Sequence, residues 1–74
     1  MKTLSELSIG QSATVVSVHA EAVLRRRLLD MGITPGCRIR LIKVAPLGDP
    51  LEIRLRSYEL LIRKEEAALI EVSL

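Results

Sequence analysis

The chain has 74 residues and a mass of 8.2 kDa, which is enough for one small domain over residues 1–74. Leu, Ile and Val make up 26 residues, so intrinsic disorder is excluded. The formal net charge is only +2, yet residues 25–43 carry six bases and one acid, so a basic middle lies between acidic ends. A single Cys and the lack of a long apolar run predict a cytoplasmic domain without disulfide, leader or membrane span.

The first elements in chain order are a strand and a helix. Residues 13–18 are short and rich in β-branched side chains, which predicts the first strand. The spacing of the apolar residues then changes from that of a strand to that of a helix, because Leu24, Leu28 and Met31 lie four and three residues apart. This pattern predicts an amphipathic helix over about residues 20–31, with Leu24 and Leu28 on its core side.

Two glycines are expected to shape the segment after this helix. Gly32 is expected to end the helix in the left-handed conformation, with Ile33 reaching back to Leu28. Pro35 and Gly36 then occupy the two central positions that a type II turn requires. The sequence therefore predicts a sharp helix end followed directly by a turn.

The next strand is predicted over residues 37–45. Its apolar alternation slips by one residue between Leu41 and Ile42. A slip of this kind indicates a bulge or sharp bend, which small barrels need for closure. Residues 46–50 contain two prolines and a glycine and are expected to form a loop.

The rest of the chain predicts more short strands. Residues 51–56 alternate between apolar and charged side chains, and residues 58–62 continue the alternation. Residues 64–67 favour a single helical turn, and residues 69–72 a last strand. About five short strands with one helix between the first and second predict a mainly β fold, a small, partly open barrel.

The sequence offers no metal centre or catalytic set. The candidate soft ligands are His19, Cys37 and two methionines, whereas a closed zinc site needs four ligands, usually in close pairs. Cys37 is expected half inside a strand and His19 at a strand end, both as structural residues. We therefore expect no enzyme, no resident cofactor and no tight metal site.

Nucleic acid binding is also disfavoured. Arg38, Arg40, Arg54 and Arg56 lie on strands that could be neighbours, and arginine is a good phosphate ligand. However, Tyr58 is the single aromatic residue, and single-strand binding needs several for stacking. A net charge of +2 is weak for a duplex binder. A protein-binding module is the class that remains.

Two longer motifs carry a family resemblance. Residues 24–32, Leu-Arg-Arg-Arg-Leu-Leu-Asp-Met-Gly, are followed by Ile-Thr-Pro-Gly, and residues 45–50 read Ala-Pro-Leu-Gly-Asp-Pro. Together they resemble the signature of the FeoA family, ferrous iron transport protein A, and the similarity covers almost the whole chain. Ser57 and Cys37 depart from the family pattern, since a Gly and a small residue are usual there. A positive φ at Ser57 would strain its turn slightly.

The resemblance implies an SH3-like domain that regulates ferrous iron uptake. Its partner would be the cytoplasmic part of FeoB, a GTPase-permease, so the chain would reach the inner face of the membrane only through that partner. The alternative is a stand-alone SH3-like regulator that responds to transition metal or nucleic acid, like the C-terminal domain of iron-dependent repressors. Weak association with Fe²⁺ or another divalent metal, and self-association into a homo-oligomer, are left open.

The helix arginines form one half of the predicted partner surface. Successive residues on a helix point 100° apart, so three neighbouring arginines do not form a single patch. Arg25 and Arg26 are expected to face outward and to steer a partner. A purely structural role for this run is the alternative, since the spacing allows Arg27 to pair with Asp30, three residues further on.

The proline-flanked loop, residues 46–50, forms the other half of that surface. Its two prolines are expected to stiffen it, so that docking costs little entropy. Leu47 and Asp49 are the predicted contact residues. For Leu47 a second conformation is almost equally favoured, in which the side chain folds back over the barrel mouth.

Overall fold

The computed structural model describes all residues, 1–74. Two helices and one 3-10 turn accompany six strands. The helices are α1 (Ala22–Asp30) and α2 (Lys64–Ala67), and the 3-10 turn covers Leu4–Glu6. The strands are β1 (Lys2–Thr3), β2 (Ser12–Val18), β3 (Arg38–Val44), β4 (Leu51–Leu55), β5 (Tyr58–Ile62) and β6 (Ile70–Ser73).

All six strands belong to one antiparallel sheet in the order β1-β6-β2-β3-β4-β5. The mainly β prediction is confirmed, but the structure has one strand more than the five expected. The additional strand, β1, has only two residues and pairs Lys2 with Val72 and Thr3 with Glu71. Helix α1 therefore lies between the second and third strands, and it is shorter at both ends than residues 20–31.

Bulges bend the sheet at two places. The pairing of β3 with β4 shifts between Leu41 and Lys43, which confirms the slip expected from the apolar pattern. A second shift, between Val15 and Ser17, lies where β2 pairs with β6. Val16 at this point is exposed, and the sequence pattern did not indicate this bulge.

The core consists of 17 buried residues, and all of them are apolar. Leu28 of α1 and Ile53 of β4 are fully buried, whereas Leu24 is partly buried against this core. No charged side chain is buried, so every charged group lies at the protein surface. Neither helix has the length and apolar composition that a membrane-spanning helix needs.

Gly32 ends helix α1 as expected, with a φ of 98°. The Ile33 N–H donates to the Leu28 carbonyl at 3.1 Å, and the Gly32 N–H donates to the Leu29 carbonyl at 3.0 Å. These two bonds define a Schellman motif. Both Leu28 and Ile33 are fully buried, so the motif also anchors the helix end in the core.

The sequence predicted the turn at residues 34–37 correctly, but it placed the positive φ of the β4–β5 hairpin at the wrong residue. The Cys37 N–H donates to the Thr34 carbonyl at 3.0 Å, and Gly36 has a φ of 91°, as a type II turn requires. In the hairpin between β4 and β5, the positive φ that was considered for Ser57 belongs to Arg56, at 51°.

Candidate functional site

The loop between β3 and β4 presents Leu47 to solvent. This side chain is 96% exposed, so of the two conformations considered the outward one is found. The Gly48 N–H donates to the Ala45 carbonyl at 2.7 Å, and the Ala45 N–H donates to the Pro50 carbonyl at 3.1 Å. The loop therefore holds its own shape and offers an apolar side chain from a preformed turn.

Asp49 has a contact within the fold that the sequence did not indicate. Its Oδ1 accepts the backbone N–H of Lys64 at 3.0 Å, at the start of α2. A carboxylate at this position satisfies a free helical donor and suits the positive end of the helix. One carboxylate oxygen of Asp49 is thus already engaged, and its predicted role in partner contact remains a prediction.

The helix arginines point in different directions, as their spacing predicted. Arg25 is exposed and forms no ion pair, whereas Arg26 lies 3.7 Å from the Asp30 carboxylate on the exposed face. The pair with Asp30 that the spacing allowed for Arg27 is not formed, because Arg27 extends instead to Glu66 of α2. Glu66 is largely buried and ties the two helices together.

A surface groove of about 460 Å³ separates α1 from the loop, β5 and α2. One wall of the groove is the base of the loop, and another is the C-terminal end of α1. Arg25 and Arg26 themselves lie outside the groove. The lining consists of Arg27, Met31, Asp49, Pro50, Leu61, Ile62, Arg63 and Glu66.

The single aromatic residue closes the end of helix α1. The Tyr58 hydroxyl donates to the Met31 carbonyl at 2.7 Å, and its oxygen occupies the space that a Cβ on Gly32 would fill. Sequence reasoning missed this contact. The only available signal was that a lone tyrosine, 27 residues away from the helix end, had no assigned partner.

The predicted ligand-type residues are not brought together in a cluster. His19 Nε2 lies 2.8 Å from a carboxylate oxygen of Glu71 on the neighbouring strand. Cys37 is buried, and its Sγ contacts the Arg38 carbonyl at 3.7 Å. Nowhere do three or more His, Cys, Asp or Glu side chains gather as a metal site would need. The expectation of no tight metal site stays a prediction.

Comparison with known proteins gives consistent matches over the whole chain. The family model of the FeoA domain matches residues 2–74. A fusion of Fe(2+) transport protein A with the Fe(2+) transporter FeoB, from Porphyromonas gingivalis, is 44% identical over 71 residues. These residues cover 96% of this chain and 8% of the fusion protein.

Two solved structures extend this match to three dimensions. The solution structure of FeoA from Chlorobium tepidum is 44% identical with a TM-score of 0.90, covering 96% of this chain and 68% of that one. The zinc complex of FeoA from Stenotrophomonas maltophilia, described as an SH3 domain protein, is 34% identical with a TM-score of 0.85. It covers 99% of this chain and 91% of that one.

The antiparallel sheet, the single main helix and these structural neighbours define the chain as a small SH3-like domain. More narrowly, the chain belongs to the FeoA family of ferrous iron transport proteins. The resemblance drawn from the two sequence motifs is thereby confirmed, as is the SH3-like fold that it implied.

Proposed function

We propose that this chain is a cytoplasmic regulator of ferrous iron uptake that acts by binding the cytoplasmic part of a FeoB-type transporter. The observation that supports the partner is the Porphyromonas gingivalis fusion, in which a FeoA relative and FeoB share one polypeptide. Fusion raises the effective concentration of two modules that work together. The chain would reach the membrane through this partner.

The contact surface is proposed to combine Leu47 with the outward side of α1. Leu47 is almost fully exposed on a preformed loop, so burying it against a partner costs little ordering entropy. Arg25 carries a charge that no acid of the chain neutralises, and Arg26 has only a solvent-exposed pair. Such charges mainly accelerate encounter, whereas a buried apolar anchor mainly slows dissociation.

Binding kinetics to the full-length transporter in nanodiscs, and to its separate cytoplasmic part, test this proposal. Leu47→Ala is expected to speed dissociation and leave the melting temperature unchanged. Leu74→Ala is the matched control, because Leu74 is an exposed leucine that follows β6 and lines neither the loop nor the groove beside it. The proposal is wrong if wild-type chain binds neither form, or if both leucine variants behave alike.

The arginines are tested by the salt dependence of the association rate. Arg25→Gln combined with Arg26→Gln is expected to slow association and flatten its salt dependence. The control, Lys43→Gln with Lys64→Gln, removes the same charge elsewhere and should leave the rate near wild type. Titration with duplex DNA, with and without Fe²⁺, distinguishes the alternative of a stand-alone regulator, which would bind DNA without the transporter.

A further inference from the structure

Three arginines lie on the exposed side of strands β3 and β4, and a fourth follows in the turn after β4. Arg38 and Arg40 alternate with buried residues and so share the outer side of β3. Arg40 is paired directly with Arg54 of β4. Arg56 is exposed and follows directly after β4, in the turn that leads to β5. We call these four residues, Arg38, Arg40, Arg54 and Arg56, the arginine face.

The arginine face is poorly neutralised. Arg54 alone has an ion-pair partner, Glu59 of β5 at 2.6 Å. Arg38 donates to the Thr14 hydroxyl at 3.2 Å, while Arg40 and Arg56 contact no acid. Like charges placed directly opposite each other destabilise a sheet. The Arg40–Arg54 pairing is therefore a cost to folding that an anion bound from outside would offset.

We propose that the arginine face binds an extended, acidic peptide segment. Arg38 and Arg40 are two residues apart on β3, which corresponds to about 7 Å along the strand. An extended peptide with acidic residues at alternate positions presents carboxylates at the same spacing. The guanidinium fork pairs with a carboxylate through two parallel hydrogen bonds. Glu59 already shows that a carboxylate can bind here, since it accepts one hydrogen bond from Arg54.

Other anionic partners fit the arginine face less well. No aromatic side chain lies among the four arginines, so single-stranded nucleic acid has nothing to stack on. The most exposed apolar side chains, Leu47 and Val23, lie on the β3–β4 loop and on α1, not among the arginines where a membrane would need them. The proposal goes beyond the transporter contact, because it requires neither Leu47 nor the helix arginines.

Fluorescence anisotropy with a labelled octapeptide, with Glu at alternate positions and Ser between, tests the arginine face directly. The wild-type chain is expected to bind this peptide saturably at low salt. Arg40→Gln combined with Arg54→Gln should weaken binding roughly tenfold or more. The matched control, Arg25→Gln with Arg26→Gln, removes the same charge from α1 and should bind like wild type. If both double variants lost the same peptide affinity, binding would depend on net charge alone, and the proposal would be wrong.

Two further measurements separate binding from folding and from other partners. Arg40→Gln alone removes the repulsion and leaves the Arg54–Glu59 pair, so its melting temperature should equal or exceed that of wild type while peptide binding weakens. A lower melting temperature would show that Arg40 supports the fold and contradict the proposal. Tighter binding to phosphatidylserine vesicles or to duplex DNA than to the peptide would also overturn it.

Discussion

The Tyr58 hydroxyl donates a hydrogen bond to the carbonyl oxygen of Met31 at 2.7 Å. This bond joins the start of β5 to the last turn of α1. It also places the tyrosine oxygen where any side chain at Gly32 would lie. The helix end, the glycine after it and the only aromatic residue therefore act as one structural unit, which positions α1 and its outward arginines.

Tyr58→Phe is expected to lower the free energy of unfolding by about 0.5–1.5 kcal/mol, the usual net contribution of one hydrogen bond. Gly32→Ala should cost more, because Gly32 has a φ of 98° and its Cβ would meet the tyrosine oxygen. Urea unfolding of both single variants and the double variant measures their coupling. If the two residues form one unit, Gly32→Ala lowers the free energy of unfolding less in the Tyr58→Phe variant than in wild type. Additive losses in the double variant would contradict this coupling.

Leu28→Ala is expected to lower the free energy of unfolding by roughly 2–5 kcal/mol, because Leu28 is fully buried and the substitution leaves a cavity. In so small a domain this is a large share of total stability. Leu47→Ala is the control, since Leu47 is 96% exposed and its removal leaves no cavity. Thermal unfolding of the two variants provides the comparison, and equal melting temperatures would refute the assignment of Leu28 to the core.

Glu6 is expected to contribute an acid-dependent part of the stability. Its carboxylate accepts the Thr3 backbone N–H at 2.6 Å and the Thr3 hydroxyl at 3.0 Å, and these bonds hold the pKa of Glu6 below its ordinary value. A lowered folded-state pKa means that this stabilisation is complete above the ordinary carboxyl pKa. It is lost as the pH falls through the lowered value.

Glu6→Gln should therefore flatten the fall of the melting temperature on the acid side, measured across a pH series. Glu65→Gln is a suitable control, because Glu65 is exposed and makes no side-chain hydrogen bond in the structure. An unchanged acid profile for Glu6→Gln would show that the bonds to Thr3 do not persist in solution.

Anaerobic calorimetric titration with Fe²⁺ is expected to show no site tighter than about micromolar, since no three ligand-type side chains gather anywhere. His19 and Cys37 are the residues to vary if heat is released. A stoichiometric site that His19→Ala or Cys37→Ala abolishes would contradict this expectation and assign those residues as ligands.

The local structure around α1 could be predicted from the sequence. Helical spacing identified Leu28 as a core residue, and Gly32 followed by Pro35-Gly36 indicated the Schellman end and the type II turn. These features depend on neighbouring residues only, because backbone sterics and a period of 3.6 act within a few positions. The one-residue shift in the apolar alternation of β3 could be predicted for the same reason.

The contacts between distant residues could not be predicted from the sequence, because they depend on the packed fold. The Tyr58–Met31 bond, the Arg27–Glu66 pair, the Asp49–Lys64 cap and the direct opposition of Arg40 and Arg54 each join different elements. Such pairs depend on strand register and on how α1 lies over the sheet, which packing of the whole core sets. A shift of one residue would turn every side chain of a strand to the other face, so the arginine face exists only because the buried alternate residues hold β3 and β4 in register.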